Sequence, residues 1–310
     1  MALVESDLVF NIVWTGSVFP YLRHFVASQM IHSDARFRFV TNACPAAQVA
    51  LLEDFAAHHD QVVDVLVVST DTMITHGAAL DLVRSRRDDG DWFCLIDSDI
   101  RASGPFVAEF AAVLDAGAAG VTSGRGVWAT TDVVPEGHVG VNGEYFWSRD
   151  GYLFGSPHFA IYRRAALDDV RDRWGVGFGA GADLSDEVRA VLSAAGHDYW
   201  LYDTGKIVNI LLQEAGHELR HQEHPHLLHI GGMSHYLAPP ETAGGGAVAN
   251  LARVDHSTWN PDRLEVAAFS AAVLMAACDG APVPEVPAGL DPVIAEKLTM
   301  VRREILALVP

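Results

Sequence analysis

Over the first hundred residues, short apolar runs alternate with longer segments whose apolar positions recur every three or four residues. Leu8 to Trp14 (LVFNIVW) is apolar and β-rich, as in a strand covered on both faces. Pro20 to His32 follows, with Leu22, Phe25, Val26 and Met30 at helical spacing. Phe37 to Thr41 predicts a second strand. Pro45 to His58 predicts a second helix, with a proline at its start, where the missing N–H costs nothing. Val62 to Ser69 (VVDVLVVS), His76 to Arg87 and Trp92 to Ile96 (WFCLI) then read as strand, helix and strand. This β-α-β-α-β-α-β rhythm predicts an α/β fold, a mainly parallel sheet with helices on both faces. Ligands of such sheets bind at the C-terminal ends of the strands.

The pattern then changes. Gly124 to Gly155 is rich in glycine and aromatics (Trp128, Tyr145, Phe146, Trp147, Tyr152, Phe154) and predicts loops and short strands over a site. Leu184 to Ala195 is amphipathic and ends at Gly196. Thr242 to Ala247 (TAGGGA) reads as a hinge. Two helices follow, about Pro261–Cys278 and Asp291–Leu308. Their apolar faces either cover the sheet or pair with a second subunit as a homodimer.

Composition narrows the function. With 21 basic against 40 acidic residues, the net charge of −19 argues against nucleic acid or anionic membranes as partners. Lys206 and Lys297 are the only lysines, so phosphate must be held by arginine, backbone amides or a metal. Three distant cysteines, Cys44, Cys94 and Cys278, give neither a disulfide framework nor a thiolate zinc site. The first residues lack the marks of a signal peptide, and Val266 to Cys278, the longest uncharged apolar stretch, is too short to span a bilayer. The expectation is a soluble, cytoplasmic protein.

The sharpest motif is Asp97-Ser98-Asp99, directly after WFCLI. Residues two apart on extended chain project to the same side. Two carboxylates converging at a strand end suit Mg²⁺ or Mn²⁺. The plain structural reading is an acidic turn before Gly104–Pro105. Further on, six of the 15 histidines fall between His217 and His235. Among them His217-Glu218-Leu219-Arg220-His221 matches HExxH, which on a helix would hold zinc for hydrolysis. Against it, Pro225 follows one turn later, and a histidine-rich stretch makes such spacings by chance.

The segment DWFCLIDSDI resembles the DxD segment of GT-A-type glycosyltransferases, which use nucleotide sugars. The strand and loop NIVWTGS, the helix THGAALDLVRSR, the strand GSPHFAIYRRAAL and the segment GADLSDEVRAVLSAAGHDYW extend the resemblance over about residues 8 to 236. It implies a GT-A-like single Rossmann-type mixed sheet over residues 1–240, with a donor half to about 123, an acceptor half from about 124, and a helical extension over 241–310. It implies a metal-dependent enzyme that moves a sugar from a nucleoside-diphosphate donor. The acidic surface and aromatic loop suit a small polar acceptor, as in natural-product or small-metabolite biosynthesis. Asp97, Asp99 and His229 are its expected metal ligands. Thr15, Gly16, Ser98, Arg125 and His235 are expected at the donor. The base is sought among Asp183, Asp186 and Glu187, in that order, and the aligned position falls on the non-acidic Leu184-Ser185. The alternatives are the HExxH hydrolase, a nucleotidyltransferase and a nucleotide-sugar binding protein without turnover. The loop TGSVFPYLR after the first strand, with one glycine and no lysine, disfavours the nucleotidyltransferase.

Overall fold

The computed structural model describes residues 3–129, 132–134, 146–155, 157–179, 184–196, 202–237 and 261–310, the last segment with side chains from 265 onward. Asp183, Tyr145 and the glycine-rich hinge lie outside the described residues.

The alternation read from the sequence is the alternation seen. Strands β1 (Val9–Thr15), β2 (Arg36–Asn42), β3 (Val62–Ser69) and β4 (Trp92–Ile96) are parallel, joined by helices α1 (Phe19–Ile31), α2 (Ala46–Ala57) and α3 (His76–Arg86). A seven-stranded sheet runs β3-β2-β1-β4-β7-β6-β8, where β6 is Gly120–Ser123, β7 Phe159–Arg163 and β8 Leu219–His221. Strand β7 is antiparallel to both β4 and β6, so the sheet is mixed. The strand order reverses between β1 and β4, the crevice where open α/β sheets bind ligands.

Period-2 alternation along the buried strands feeds two cores. Phe10, Ile12, Trp14, Phe37, Phe39, Cys94, Ile96, Phe159 and Ile161 face one side, against α1, α2 and α4 (Val107–Asp115). Phe93, Leu95, Ala160 and Tyr162 face the other, against α3, α5 (Arg164–Trp174), α6 (Asp186–Ala194) and α7 (Lys206–Glu214). Each fully buried ring, such as Trp14 or Phe25, contributes roughly 1.5–3 kcal/mol. Thr75 caps α3 by accepting from the Ala78 amide (3.2 Å), and Ser185 caps α6 through the Val188 amide (3.2 Å).

A separate antiparallel ribbon joins β5 (Ile100–Ala102) to β9 (Leu227–His229) and is followed by α8 (Ser234–Leu237). The C-terminal helices α9 (Pro261–Asp279) and α10 (Pro292–Leu306) bury Val266, Ala271, Leu274, Ile294, Leu298, Val301 and Ile305 in the first core. Arg101 of β5 pairs with Glu304 of α10. The apolar faces of these helices therefore cover their own chain. No helix among the described residues is long and apolar enough to cross a membrane.

Candidate functional site

Strand β4 ends at Ile96, and the next residues turn sharply under three constraints. The Asp97 amide donates to the His158 carbonyl (2.8 Å), prolonging the β4–β7 ladder by one step. The Ile100 amide donates to the Asp97 carbonyl (3.3 Å). The side-chain amide of the fully buried Gln29, on α1, donates to the carbonyls of Asp97 (3.1 Å) and Ile100 (2.7 Å). The Asp97-Ser98-Asp99 turn is thus held through its backbone by His158 and Gln29, and its carboxylates are left for the cavity.

The ribbon brings in the distant histidine. Ile100 pairs with His229, which sets that imidazole beside the turn. His229 is buried, and its Nδ1 lies 2.7 Å from the Gly124 carbonyl, so Nδ1 carries the proton and donates. Nε2 then faces Asp99 Oδ1 at 3.3 Å and Asp97 Oδ2 at 3.6 Å. A backbone carbonyl that fixes the tautomer is the usual second partner of a metal-ligating histidine. His158 places Nδ1 3.2 Å from Asp97 Oδ2. Asp97, His158 and His229 each offer a ligand atom, all within 4.8 Å of one another. Asp99 Oδ2 accepts the Met233 amide (3.3 Å), and Gly231 and Gly232, with φ of 79° and 76°, turn the chain back over the site.

The charges are unbalanced. Burial pushes the Asp97 carboxyl up to about 6, against the pull of His76 and His229 and with the push of Asp99 and Asp203. Burial also opposes ionisation of Asp99, but the hydrogen bond and charge of His229, the Met233 amide and His158 outweigh it and hold that carboxyl below its ordinary value. Burial would lower His229, yet Asp99 and Asp97 raise it on balance. A buried carboxylate pair with an imidazole presenting Nε2 is a hard O/N donor set suited to Mn²⁺ or Mg²⁺.

These groups open into a cavity of about 270 Å³ at the switch point between β1 and β4. Thr15 lines it at the end of β1 and Val18 just after, Asn42 at the end of β2, and Met73 to His76 before and at the start of α3. Trp128, His158, Asp203, Thr204, Ser234 and His235 complete the wall, and no lysine or arginine lines it among the described residues. Asn42 fixes the loop before α3, donating to the Ile74 carbonyl (2.8 Å) and accepting its amide (3.0 Å).

Of the residues expected from sequence, Thr15, Asp97, Ser98, Asp99, His229 and His235 meet at this cavity. Gly16, with φ of 54°, makes the adjoining turn without lining it. Arg125 does not reach it: the guanidinium pairs with Asp132, and its amide donates to Glu223 Oε1 (2.9 Å). Asp186 and Glu187 stand exposed in the first turn of α6 and do not line the cavity, a place favoured by the helix dipole. Phe146 is buried against His221, and Trp147 and Tyr152 pack on the second core; Trp128 alone of the described aromatic-loop residues lines the cavity. The HExxH geometry is absent, because His217 lies in the loop between α7 and β8 and His221 on β8. His217 pairs with Asp169 (3.0 Å) and His221 with Glu223 (2.8 Å).

Among the cavity residues left without a role by the sequence, two bear on the chemistry. His158 reaches Asp97 through the antiparallel β4–β7 register, which the parallel-sheet pattern hides. Asp203 precedes α7 in the segment Tyr202-Asp203-Thr204-Gly205-Lys206, where an acid reads as an ordinary helix start.

No family model and no curated protein matches the chain. Among solved structures it is similar to the mannosyltransferase PcManGT of Pyrobaculum calidifontis, determined with GDP-Man and Mn²⁺. That likeness has 13% identity, covers 97% of this chain and 83% of that one, and has a TM-score of 0.44. It is also similar to S. aureus TarS, with 12% identity, 96% of this chain and 54% of that one, and a TM-score of 0.41. The chain spans about half the length of TarS. A third likeness is to 4-diphosphocytidyl-2C-methyl-D-erythritol synthase of Anaerococcus prevotii, with 7% identity, 70% of this chain and 87% of that one, and a TM-score of 0.38. These are similarities of chain course; the chemistry of the site is read from its own residues.

Proposed function

We propose that the protein transfers a glycosyl group from a nucleoside-diphosphate sugar to a small polar acceptor, with Mn²⁺ or Mg²⁺ held by Asp97, Asp99 and His229 and with His158 as an additional donor. The observation that carries this reading is the junction of the Asp97-Ser98-Asp99 turn with His229 Nε2 at the switch-point cavity. When bound, the ion supplies positive charge against the diphosphate leaving group. With no lysine or arginine on the wall among the described residues, the histidines are the side chains there that can bring positive charge to phosphate oxygens; His235 takes this role. Thr15, Val18 and the Asn42–Ile74 clamp border the space for the nucleoside. Asp203 accepts the proton of the attacking hydroxyl, a role for which it supplies a carboxylate at the cavity wall. In this reading residues up to about 123 form the donor half, 124–240 the acceptor half and 241–310 an extension, of which the described helices α9 and α10 pack into the same core.

The test is a thermal-shift series with UDP, GDP, TDP, CDP and ADP, each with Mn²⁺ and with EDTA. A ligand at a hundredfold its dissociation constant adds about 2.7 kcal/mol of stability. Stabilisation by one diphosphate, in the presence of metal only, is the expected outcome and names the donor base. Indifference to all five in the presence of Mn²⁺ overturns the proposal. Binding without release of the diphosphate from the matching sugar nucleotide points to a binding protein instead.

A further inference from the structure

Asp203 owes its place to a chain of contacts that begins on another helix. Asp81, in the second turn of α3, receives two backbone amides from a loop 97 and 98 residues away: Phe178 N–H on Oδ1 (2.9 Å) and Gly179 N–H on Oδ2 (3.0 Å). The Gly179 N–H and the Phe178 carbonyl belong to one planar peptide unit. The carboxylate therefore orients that plane from one edge, and from the other edge the Phe178 carbonyl accepts the Gly205 amide (3.1 Å). Gly205 stands two residues after Asp203, and Asp203 and Thr204 both line the cavity.

The relay has little room to slacken. The Phe178 ring is buried against Phe93 and Tyr162 at centroid distances of 5.4 and 5.7 Å. A Cβ on Gly77 would stand 2.0 Å from the Phe178 carbonyl oxygen, so α3 presses directly on this peptide. On the far side, a Cβ on Gly205 would meet Pro157 Cδ at 2.6 Å. The Asp203–Gly205 turn is thus gripped between Phe178 and Pro157, next to His158. Within the turn, Asp203 Oδ1 accepts the Thr204 amide (2.8 Å). The Asp81 carboxyl itself is raised by burial, against which the two amides and the charges of Arg84 and Arg171 work.

We propose that Asp81 is a positioning residue: through the Phe178–Gly179 peptide and the Gly205 amide it holds Asp203 in the orientation needed to take the acceptor's proton. This rests on the assignment of Asp203 under the proposed function. It adds that α3, whose first residue His76 lines the same cavity, sets the acceptor wall as well as the donor wall.

The experiment uses the full chain and two readouts. In Asp81→Asn, an NH₂ group replaces one acceptor and opposes an amide N–H. Hydrogen exchange at the Gly205 amide is expected to accelerate at least about tenfold. Amides of β1 and β4, and stabilisation by Mn²⁺ with the responding diphosphate, are expected to stay as in the wild type. The second readout is hydrolysis of the matching sugar nucleotide with water as acceptor. Here kcat is expected to fall about 10- to 100-fold, the range that a small misplacement of a reacting group produces, with the donor KM unchanged. In the Asp203→Asn background the Asp81→Asn change is expected to cost nothing further, since it acts through Asp203. Unchanged Gly205 exchange, or losses that multiply in the double variant, overturns the proposal. Asp81→Ser, which removes the opposing donors, serves if Asp81→Asn does not fold; failure of both to fold makes the role purely structural and also overturns it. If Gly205 exchange responds while the wild-type chain releases no diphosphate from any sugar nucleotide, the relay stands and the transferase reading falls.

Discussion

The two ends of the same sheet handle buried carboxylates in opposite ways. At the N-terminal ends of the parallel strands, Arg38 of β2 meets Asp64 (2.5 Å), Asp89 (2.7 and 2.8 Å) and the Asn11 side chain (3.2 Å). Arg87 adds a contact to Asp64 (2.9 Å) and Arg164 approaches Asp89 (3.8 Å). Every acid there faces guanidinium. At the C-terminal ends, Asp97, Asp99 and Asp203 share a cavity with four histidines, His76, His158, His229 and His235, and with no lysine or arginine among the described residues. The first cluster is complete within the chain. The second has the donor set for the cation proposed above, and the lesson is that the partner of a buried carboxylate, more than its burial, separates structure from site.

The largest expected effects lie at the C-terminal end. Asp99→Ala and His229→Ala should each lower metal-dependent turnover by about 10²–10³-fold or more, the range for removing a group that stabilises developing charge. Folding should survive, as circular dichroism and thermal unfolding would report. His217→Ala should be nearly silent, because that imidazole meets only Asp169 at the surface of α5. Full turnover of Asp99→Ala or His229→Ala would remove the asymmetry between the two ends.

At the N-terminal end the effect should fall on stability instead. Arg38→Met removes the shared partner of Asp64 and Asp89 and leaves them Arg87 and Arg164. Losing charge-assisted hydrogen bonds of this kind costs about 1.5–3 kcal/mol, measurable by urea unfolding. Stabilisation by Mn²⁺ and diphosphate should persist in the molecules that remain folded.

Asp97→Asn should reverse that sign. The folded carboxyl sits at about 6, above the ordinary 3.8, because burial disfavours its charge. Its contribution to stability is fully present below the unfolded value and is lost as pH rises through about 6. Without metal, the wild type should therefore weaken between about pH 4 and 6, and Asp97→Asn should be more stable than the wild type above pH 6, by about 1–3 kcal/mol. The same proton competes with the cation, so metal affinity should fall as pH drops below about 6. A metal-free stability profile without that slope, identical in both proteins, would place Asp97 among the satisfied carboxylates.

How much of this was legible in the sequence depends on how local each signal was. The strands up to Ile96 and their helices were readable because each carries its own period. Asp97 and Asp99 were readable because they follow directly on an apolar strand. His229 was legible only through resemblance, since what brings it to Ile100 is a ribbon pairing that no local pattern encodes. His158 depends on β7 running antiparallel to β4, and the repeated β-α rhythm pointed to a parallel neighbour. Asp203 is hidden for a different reason: an acid before a helix has an ordinary structural use. Asp186 and Glu187 carry the same ambiguity, and for them the ordinary use is the one observed. Gln29 was illegible, because a buried glutamine amide inside an apolar helix face says nothing of which carbonyls it serves.

The smallest effect concerns strain at the cavity end. Ala43 follows β2 with φ of 56°, the one described non-glycine residue in the left-handed region, and its amide donates to the Ser69 carbonyl (2.9 Å). That conformation costs an alanine roughly 1–2 kcal/mol, and glycine adopts it freely. Glycine also loses more freedom on folding, by roughly 0.5–1 kcal/mol, so Ala43→Gly should gain only about 0.5–1 kcal/mol in stability. The neighbouring Asn42 holds Ile74 through both ends of its amide and lines the cavity. If the strained turn fixes Asn42 for the nucleoside, the relaxed variant should melt higher and yet bind the responding diphosphate more weakly, with little change in kcat. Higher stability with unchanged affinity would make the strain incidental, and would leave the unbalanced carboxylates as the whole difference between the two ends of the sheet.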